Sequence, residues 1–438
     1  MTTQIFCVST LYGAATVAAA IDAGLVRPAD RRALLISNNA TVPEVAPALD
    51  TMPGFEALRG RFDDVLSWNA AIEPFHPSGW SPRPEDVPLW ERHLRRLWEL
   101  GDDDVELTVE SIQVNPALAV TGIFMGAAVD VYADGLMSYG PTRIKLDPLL
   151  GTRVRRLLHL DLVPGLKPLL LTEFGVESQI IPDDTFRRVL GEVAAVSPAP
   201  EVPYNSPALL LGQYLSALKI LTTEEEEELH LRMLRGAAAL GHRQIVFKPH
   251  PTAPARWSRL LESEAGRLGV ELTVLDVPVL AETLYEQLRP ALVVGCFSTA
   301  LFTARQLYGL DTARTGTGTL LKRLTPLQNS NRVPAVLAHT LLPELETGRT
   351  RTPGDPGRLV TTLGFMMQPR IYPHLRPDAT AYLEDGVTPD EQQFFSRRKL
   401  TVLGLPGGLP GRLATLSRNP ALRRTARRAR RLGRTVLR

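Results

Sequence analysis

IVFKPHP, residues 245–251, is the stretch from which the fold of this 438-residue chain can best be read. A short run of β-branched and aromatic residues is typical of a buried strand, and it ends abruptly at a lysine, two prolines and a histidine. The prolines exclude helix at the residues before them, so the chain leaves the strand on a stiff turn. Open α/β sheets bind ligands at the carboxyl ends of their strands. The stretch therefore predicts that Lys248 and His250 form an anion-binding pair at such an end.

The order of predicted elements favours two α/β domains. A strand over 4–9, a small-residue helix over 14–23 and a strand over 32–37 form a strand–helix–strand unit, which argues for a parallel sheet. Strands and helices also alternate over residues 242–308. We expect two parallel-sheet domains with a cleft between them. The loop after the first strand carries a single glycine, so the dinucleotide-binding fingerprint is absent.

Composition predicts where the domains begin and end. Four prolines between 182 and 203 separate two halves of the chain, which places a linker near residues 197–207. We expect a first domain over residues 1–200, a second over 201–400 and an Arg-rich tail over 401–438.

The overall composition is that of a soluble intracellular protein. Apolar residues make up 44% of the chain and charged residues 22%. Cys7 and Cys296 lie in apolar, strand-like runs, where buried thiols without a disulfide are expected, and this favours a reducing compartment. No lysine or arginine precedes Arg27, and no apolar run approaches the roughly 20 residues of a membrane span. We expect a cytoplasmic protein.

Two charge runs need an interpretation. Thr222 and Thr223 precede a five-glutamate run over 224–228, which predicts a capped helix start with acids at the positive end of the dipole, and no metal site.

Eight arginines and no acid give residues 423–438 a formal charge of +8, against +2 for the whole chain, so the preceding residues carry −6. Such a tail can lie on an anionic membrane surface. A solvated disordered tail, or one with nonspecific affinity for nucleic acid, are the alternatives.

Polar residues follow three consecutive predicted strands of the second half. Lys248 and His250 follow the first strand, Glu282 begins the helix after the second, and Ser298 and Thr299 follow the third. Hydroxyls beside free helix N–H groups suit a phosphate, and an acid at a helix start suits ribose hydroxyls. Each residue also has a plain structural interpretation, as a surface lysine, a loop histidine, a first-turn glutamate or an N-cap serine. Their order along the chain favours nucleotide binding.

In the first half, Asp134 and Gly135 follow a predicted strand over 129–132. A carboxylate fixed at a strand end can act as a general base, and glycine leaves room for a ligand. An Asp-Gly pair is also one of the commonest turn signals. Two-domain sugar-nucleotide glycosyltransferases have this arrangement, with the nucleotide site in one domain and the base in the other.

These residues resemble the motifs of the bacterial α-2,8-polysialyltransferase family and of the wider group of two-domain (GT-B) sialyltransferases. The family's motifs occur in order as acid-acid-Gly at 133–135, His-Pro at 250–251 and paired hydroxyls at 298–299. Residues 278–282 are similar to the family's ribose-binding Pro/Glu turn, and 5–13 to its start. The resemblance implies a GT-B fold, in which two Rossmann-like domains face a cleft.

The resemblance also implies a role for each site residue. Asp134 would deprotonate the acceptor hydroxyl, and His250 would stabilise the departing CMP phosphate. Nucleotide binding would fall to Lys248, His250, Pro251, Glu282, Ser298 and Thr299, with Glu282 at the ribose. One departure is Ala133, which stands where the motif has its first acid. The second acid is the expected base, so the departure bears on acceptor choice or on the pKa of that base.

The implied function is inverting transfer of sialic acid, or a related nonulosonic acid, from a CMP-sugar to a glycan or lipid-linked glycan acceptor. Because the leaving group is a nucleoside monophosphate, hydrogen-bond donors and cations suffice, and we expect neither a metal nor a cofactor. We expect a role in capsule or cell-surface polysaccharide synthesis at the inner face of the plasma membrane, without a specific nucleic-acid partner. The alternatives are another GT-B transferase or epimerase with a UDP or CDP donor, and an inactive membrane-associated scaffold, which Ala133 would suit.

Overall fold

A computed structural model of the chain describes residues 1–250, 256–275, 277–351 and 353–409. The chain divides into two compact units, Met1–Thr350 and Arg351–Arg438. Both β-sheets lie in the first unit. The division into domains at residues 200 and 400 stays a prediction.

The first sheet is parallel throughout, as the opening strand–helix–strand unit predicts. Its strands are β1 (Thr2–Val8), β2 (Arg31–Ile36), β3 (Asp64–Ser67), β4 (Asp104–Glu110), β5 (Ala128–Ala133), β6 (Val154–Leu160) and β7 (Glu177–Ile181). They lie in the order β3-β2-β1-β4-β5-β6-β7.

The second sheet repeats this plan with five parallel strands. These are β8 (Ala208–Leu211), β9 (Gln244–Lys248), β10 (Glu271–Val274), β11 (Leu292–Gly295) and β12 (Thr312–Arg314). Their order is β10-β9-β8-β11-β12, so this sheet also starts at a central strand, winds to one edge and then to the other. Two doubly wound parallel sheets confirm the predicted α/β class with two Rossmann-like halves.

Helices follow most strands. In the first unit they are α1 (Leu11–Asp22), α2 (Glu56–Arg59), α3 (Trp68–Ala71), α4 (Val87–Leu97), α5 (Ala117–Ile123), α6 (Pro148–Gly151), α7 (Asp183–Val196), α8 (Thr223–Ala239), α9 (Arg256–Leu268), α10 (Ala281–Leu288), α11 (Thr299–Tyr308), α12 (Thr317–Arg323) and α13 (Arg332–Leu341). The second unit contains α14 (Pro356–Met367), α15 (Arg376–Glu384), α16 (Pro389–Gln392) and α17 (Arg397–Leu403).

Local signals explain where several helices begin. Thr222 caps α8 in a capping box with Glu225, as the glutamate run predicts. Helix α1 begins at Leu11 and not at the predicted residue 14, because the Thr10 side chain accepts a hydrogen bond from the Gly13 N–H and so caps the helix three residues earlier.

Apolar and polar residues do not alternate along β6 as they do in a half-buried strand, because Arg155 and Arg156 are consecutive. Both arginines bind Asp130 of the neighbouring strand β5, which is only 2% exposed. Arg155 also binds Glu106 of β4. These ion pairs join three strands on one face, and a sequence pattern of apolar residues cannot predict them.

The order of each sheet reverses beside its first strand, between β1 and β4 and between β8 and β11. Ligands of open α/β sheets bind at the carboxyl ends of the strands at such a switch point. Helix α7 packs against α1 of the first half and against α10 and α11 of the second, so it ties the two halves together.

Candidate active site

A cavity of about 700 Å³ lies where the carboxyl ends of both sheets meet. Residues that follow β1, β4 and β5 line it from the first half, and residues that follow β8, β9 and β11 line it from the second. These segments are residues 10, 110–111, 133–138, 212–215, 250 and 297–299. Four of the predicted site residues therefore lie around one space, namely Asp134, His250, Ser298 and Thr299.

Asp134 directly follows β5 and is half-buried at the cavity wall. Burial and the negative charge of Glu110 raise its pKa to about 7. A carboxylate whose pKa lies near neutrality is a suitable general base, because it is ionised at working pH and still binds a proton well. The role of Asp134 as the base stays a prediction.

Gly135 brings the two halves into direct contact. A Cβ atom at this position would lie 2.9 Å from Thr299 Oγ1. The φ of Gly135 is −153°, an extended value that any residue adopts, so the need for glycine comes from the close approach and not from backbone strain. The residue after Asp134 thus lies against the first residue of α11.

Ser298 and Thr299 lie at the start of α11. The Ser298 side chain caps the helix by accepting a hydrogen bond from the Ala300 N–H, which is the plain structural interpretation of this serine. Both residues also line the cavity, so the cap and the cavity wall coincide. The amino end of a ten-residue helix carries a partial positive charge and suits an anion.

His250 and Lys248 occupy different positions at the end of β9. His250 lines the cavity, and its ring centroid is 6.0 Å from that of Tyr214. Desolvation and the charge of Lys248 lower the pKa of His250, which favours the neutral ring near pH 7. Lys248 is half-buried and lies outside the cavity lining, while desolvation lowers its own pKa. The predicted residue Pro251 lies outside the described residues.

Glu282 is buried away from the cavity. It is 3% exposed at the start of α10. Burial raises its pKa to about 7, although a hydrogen bond from Thr303 and the positive charge of Lys248 lower the pKa in part. Thr303 Oγ1 is 3.2 Å from the Tyr12 hydroxyl of α1, so this polar cluster joins α10 and α11 to the first half. The structure therefore does not bring Glu282 to the space that holds the other site residues, and its contact with a ribose stays a prediction.

Two charged residues that sequence patterns do not single out also line the cavity. Glu110 ends β4, and its Oε2 accepts a 2.6 Å hydrogen bond from the Ser9 hydroxyl. Arg143 is half-buried in the loop after β5, and it is the only lysine or arginine among the described lining residues. The position of Glu110 at a strand end could have marked it as a candidate from the sequence. No sequence pattern marks an arginine in a loop, such as Arg143.

A second cavity, of about 550 Å³, lies at the carboxyl ends of β2 and β3. The acids Glu44, Asp50 and Glu73 contribute to its wall, with His76, and the described lining contains no lysine or arginine. This acidic lining is unfavourable for a phosphate.

Neither a metal cluster nor a membrane-spanning helix is found in the described part of the chain. Over residues 1–250, 256–275, 277–351 and 353–409, no three His, Cys, Asp or Glu residues are grouped so that they could hold a metal ion. Among the same residues, no helix is both long and apolar enough to span a bilayer. Cys7 and Cys296 are buried and form no disulfide.

Several solved structures are similar in fold. The GT-B domain of a sialyltransferase from Photobacterium damselae is 12% identical, with 77% of this chain and 96% of that one covered and a TM-score of 0.39. The UDP-GlcNAc 2-epimerase from Methanocaldococcus jannaschii is 12% identical over 74% and 91% of the two chains, with a TM-score of 0.43. Acinetobacter baumannii MurG is 11% identical over 90% and 97%, with a TM-score of 0.39. Likenesses this distant do not distinguish one activity from another.

Sequence comparison separates the families. Among curated proteins no sequence matches the chain. The sequence model of the alpha-2,8-polysialyltransferase family matches residues 4–316, which include every candidate site residue and, apart from the first two residues of β1, both sheets. The chain belongs to this family, and it is a glycosyltransferase of the sialyltransferase type.

Proposed function

We propose that the protein transfers sialic acid, or a related nonulosonic acid, from a CMP-sugar to a glycan acceptor with inversion. One observation carries the proposal: Asp134 on the first half and His250, Ser298 and Thr299 on the second line the same cavity. A base and an anion site on opposite walls are what a single displacement at a sugar carbon requires.

The reaction follows from these positions. Asp134 takes the proton of the acceptor hydroxyl, and the hydroxyl oxygen attacks the anomeric carbon from the first half. The bond from that carbon to the phosphate oxygen breaks on the opposite side, and its electron pair leaves with CMP. His250 and the amino end of α11 donate hydrogen bonds to the phosphate as its charge develops. One displacement inverts the anomeric carbon.

Arg143 supports a donor with a carboxylate next to the anomeric centre. A guanidinium binds a carboxylate through two parallel hydrogen bonds, and Arg143 lines the cavity on the same side as Asp134. Burial lowers the pKa of Arg143, so a bound anion would recover part of its desolvation cost. Neutral hexoses of UDP-sugars have no group for this site, which favours a nonulosonic acid.

We also propose that the reaction needs no metal and takes place in the cytoplasm on an anionic membrane surface. A leaving monophosphate carries less charge than a pyrophosphate, so the donors at α11 and His250 are matched to it. The eight arginines of residues 423–438, which lie outside the described residues, are the proposed membrane contact. An acceptor anchored in the membrane would be held close to the enzyme, as for a lipid-linked glycan of a capsule or another surface polysaccharide.

The test is release of CMP from CMP-sialic acid with a sialylated oligosaccharide acceptor, with and without EDTA. We expect release that survives EDTA and is lost in Asp134→Asn but retained in Asp102→Asn, which changes an exposed aspartate in a turn. Turnover with UDP- or CDP-sugars alone would support the alternative donor class. Saturable CMP binding that His250→Ala weakens, without turnover of any donor, would support the inactive scaffold.

A further inference from the structure

The position that holds the first acid of the family motif is occupied here by Ala133, whose side chain belongs to the apolar face of the first sheet. That face is formed in β4 and β5 by Val105, Leu107, Val109, Val129, Val131 and Ala133. Because side chains alternate along a strand, residues 110 and 134 are directed to the opposite face. Ala133 also borders the cavity but carries no carboxylate, so a second carboxylate at this cavity comes from another position.

Glu110 provides a carboxylate on the same face as Asp134. The parallel register of β4 and β5 sets Glu110 opposite Tyr132, two residues before Asp134. Glu110 is half-buried and lines the cavity together with Asp134, and these two are the only carboxylates among its described lining residues. The Ser9 hydroxyl donates to Glu110 Oε2 at 2.6 Å, which holds the side chain in place. Desolvation raises the pKa of Glu110, and this hydrogen bond offsets part of that rise.

The other titratable groups that line this cavity or lie around the pair are neutral near pH 7 or are cations. From each packed element they are Cys7 of β1, Tyr12 of α1, Tyr132 of β5, Arg143 after β5 and His250 after β9. Burial raises the pKa values of the Cys7 thiol and the two tyrosines, and desolvation lowers that of His250. Glu110 is therefore the negative charge that acts on Asp134.

Resting on the proposed function, we propose that Glu110 is a second carboxylate of the active site, acting through Asp134 to make it a stronger base. Glu110 is a positioning residue in this scheme: the acceptor proton moves to Asp134, while Glu110 keeps its hydrogen bond from Ser9. The repulsion between the two carboxylates is relieved when Asp134 takes the proton, which favours the transfer.

The test is the pH profile of kcat/KM for Glu110→Gln. Glutamine retains an oxygen that accepts from Ser9, so the fold is kept while the charge is removed. We expect the acid limb of the profile to move down by about one pH unit, since a like charge at the same site shifts a titration by this order. The limiting rate should also fall, because the base is weaker. Glu110→Asp, which retains the charge, should keep the acid limb near that of the wild type.

The matched control is Glu106→Gln. Glu106 lies on the same strand and face, binds Arg155 and lies outside the cavity lining. It should change stability without moving the acid limb. An acid limb unchanged in Glu110→Gln, or moved equally in both variants, would overturn the inference.

A second measurement does not depend on turnover. Carboxyl-labelled aspartate allows the titration of Asp134 to be followed by NMR, with the signal assigned by its loss in Asp134→Asn. We expect Asp134 to titrate about one unit lower in Glu110→Gln than in the wild type. If the wild type releases no CMP, the proposed function fails, and this titration still decides whether the two carboxylates interact; equal titration in both proteins would overturn the inference by itself.

Discussion

Asp134 shows how its neighbours change the chemistry of a single residue. The side chain of an aspartate in water has a pKa of about 3.9, so it is already ionised at pH values well below 7. At the end of β5, burial and the charge of Glu110 raise the pKa of Asp134 to about 7. The side chain therefore holds a proton at mildly acidic pH and is ready to accept one only above it.

We expect kcat/KM to rise with pH up to about 7 and then to level off, and Asp134→Asn to lower it by roughly 10²- to 10⁴-fold, the usual contribution of a general base. Initial rates of CMP release between pH 5 and 9 would check this. A profile that is flat across pH 7 would contradict the assignment of Asp134 as the base.

The same residue should affect stability in the opposite direction. Because its pKa is raised on folding, the folded state binds the proton more tightly than the unfolded state between about pH 4 and 7. Stability is therefore lost as the pH rises through this window, and the loss is complete above pH 7. We expect Asp134→Asn to raise the melting temperature relative to the wild type at pH 8 but little at pH 4. Equal differences at the two pH values would contradict this prediction.

At the scale of elements, two features hold the site together. The loop after β5 meets the start of α11 where Gly135 touches Thr299. On the other side of the cavity, Glu226 of α8 is fully buried and accepts hydrogen bonds from the Leu215 and Ser216 N–H groups at 2.6 and 2.8 Å. One acid of the five-glutamate run at the start of α8 thus holds a loop that lines the cavity.

Gly135→Ala should lower kcat at least tenfold with little loss of stability. The new methyl group would lie 2.9 Å from Thr299 Oγ1, and the threonine side chain can rotate away from it. The fold therefore accommodates the methyl group, whereas the displaced threonine disturbs the proposed phosphate site. CMP release and thermal unfolding would be measured together. Gly126→Ala is the control, because nothing lies within 4 Å of its Cβ, and it should leave both unchanged.

Glu226→Ala should lower the free energy of unfolding by about 2 to 4 kcal/mol, because the buried Leu215 N–H and the partly buried Ser216 N–H lose their acceptor. Glu228→Ala removes an exposed glutamate whose ion pair with Arg235 is also exposed, and it should cost less than about 1 kcal/mol. Denaturant unfolding of both variants would decide. Equal effects would show that the hydrogen bonds to Leu215 and Ser216 contribute nothing to stability.

At the scale of the whole molecule, charge is distributed unequally along the chain, with +8 in residues 423–438 and −6 in the rest. Replacing the eight arginines of this tail by glutamine should abolish binding to phosphatidylserine vesicles, since each contributes about 1 kcal/mol near an anionic surface. Turnover of a soluble acceptor should not change. Co-sedimentation with anionic and neutral vesicles at low and high salt would test this, and binding that survives the substitutions would contradict it.

The sequence by itself determined the fold class, most of the strands that border the cavity, and four predicted site residues that line it. Asp134 and His250 lie within two residues of a strand end, Ser298 and Thr299 lie at a helix start, and such positions can be read from local patterns. The motifs also identified the family, because short motifs keep their order along a chain.

Only the tertiary structure decided which of these residues share a space. It set Glu282 and Lys248 apart from the cavity lining, brought Gly135 against Thr299 and placed Glu110 beside Asp134. The physical reason is that strand register and the packing of two sheets join residues far apart in the chain, and burial then changes their pKa values. No pattern within a single segment contains that information.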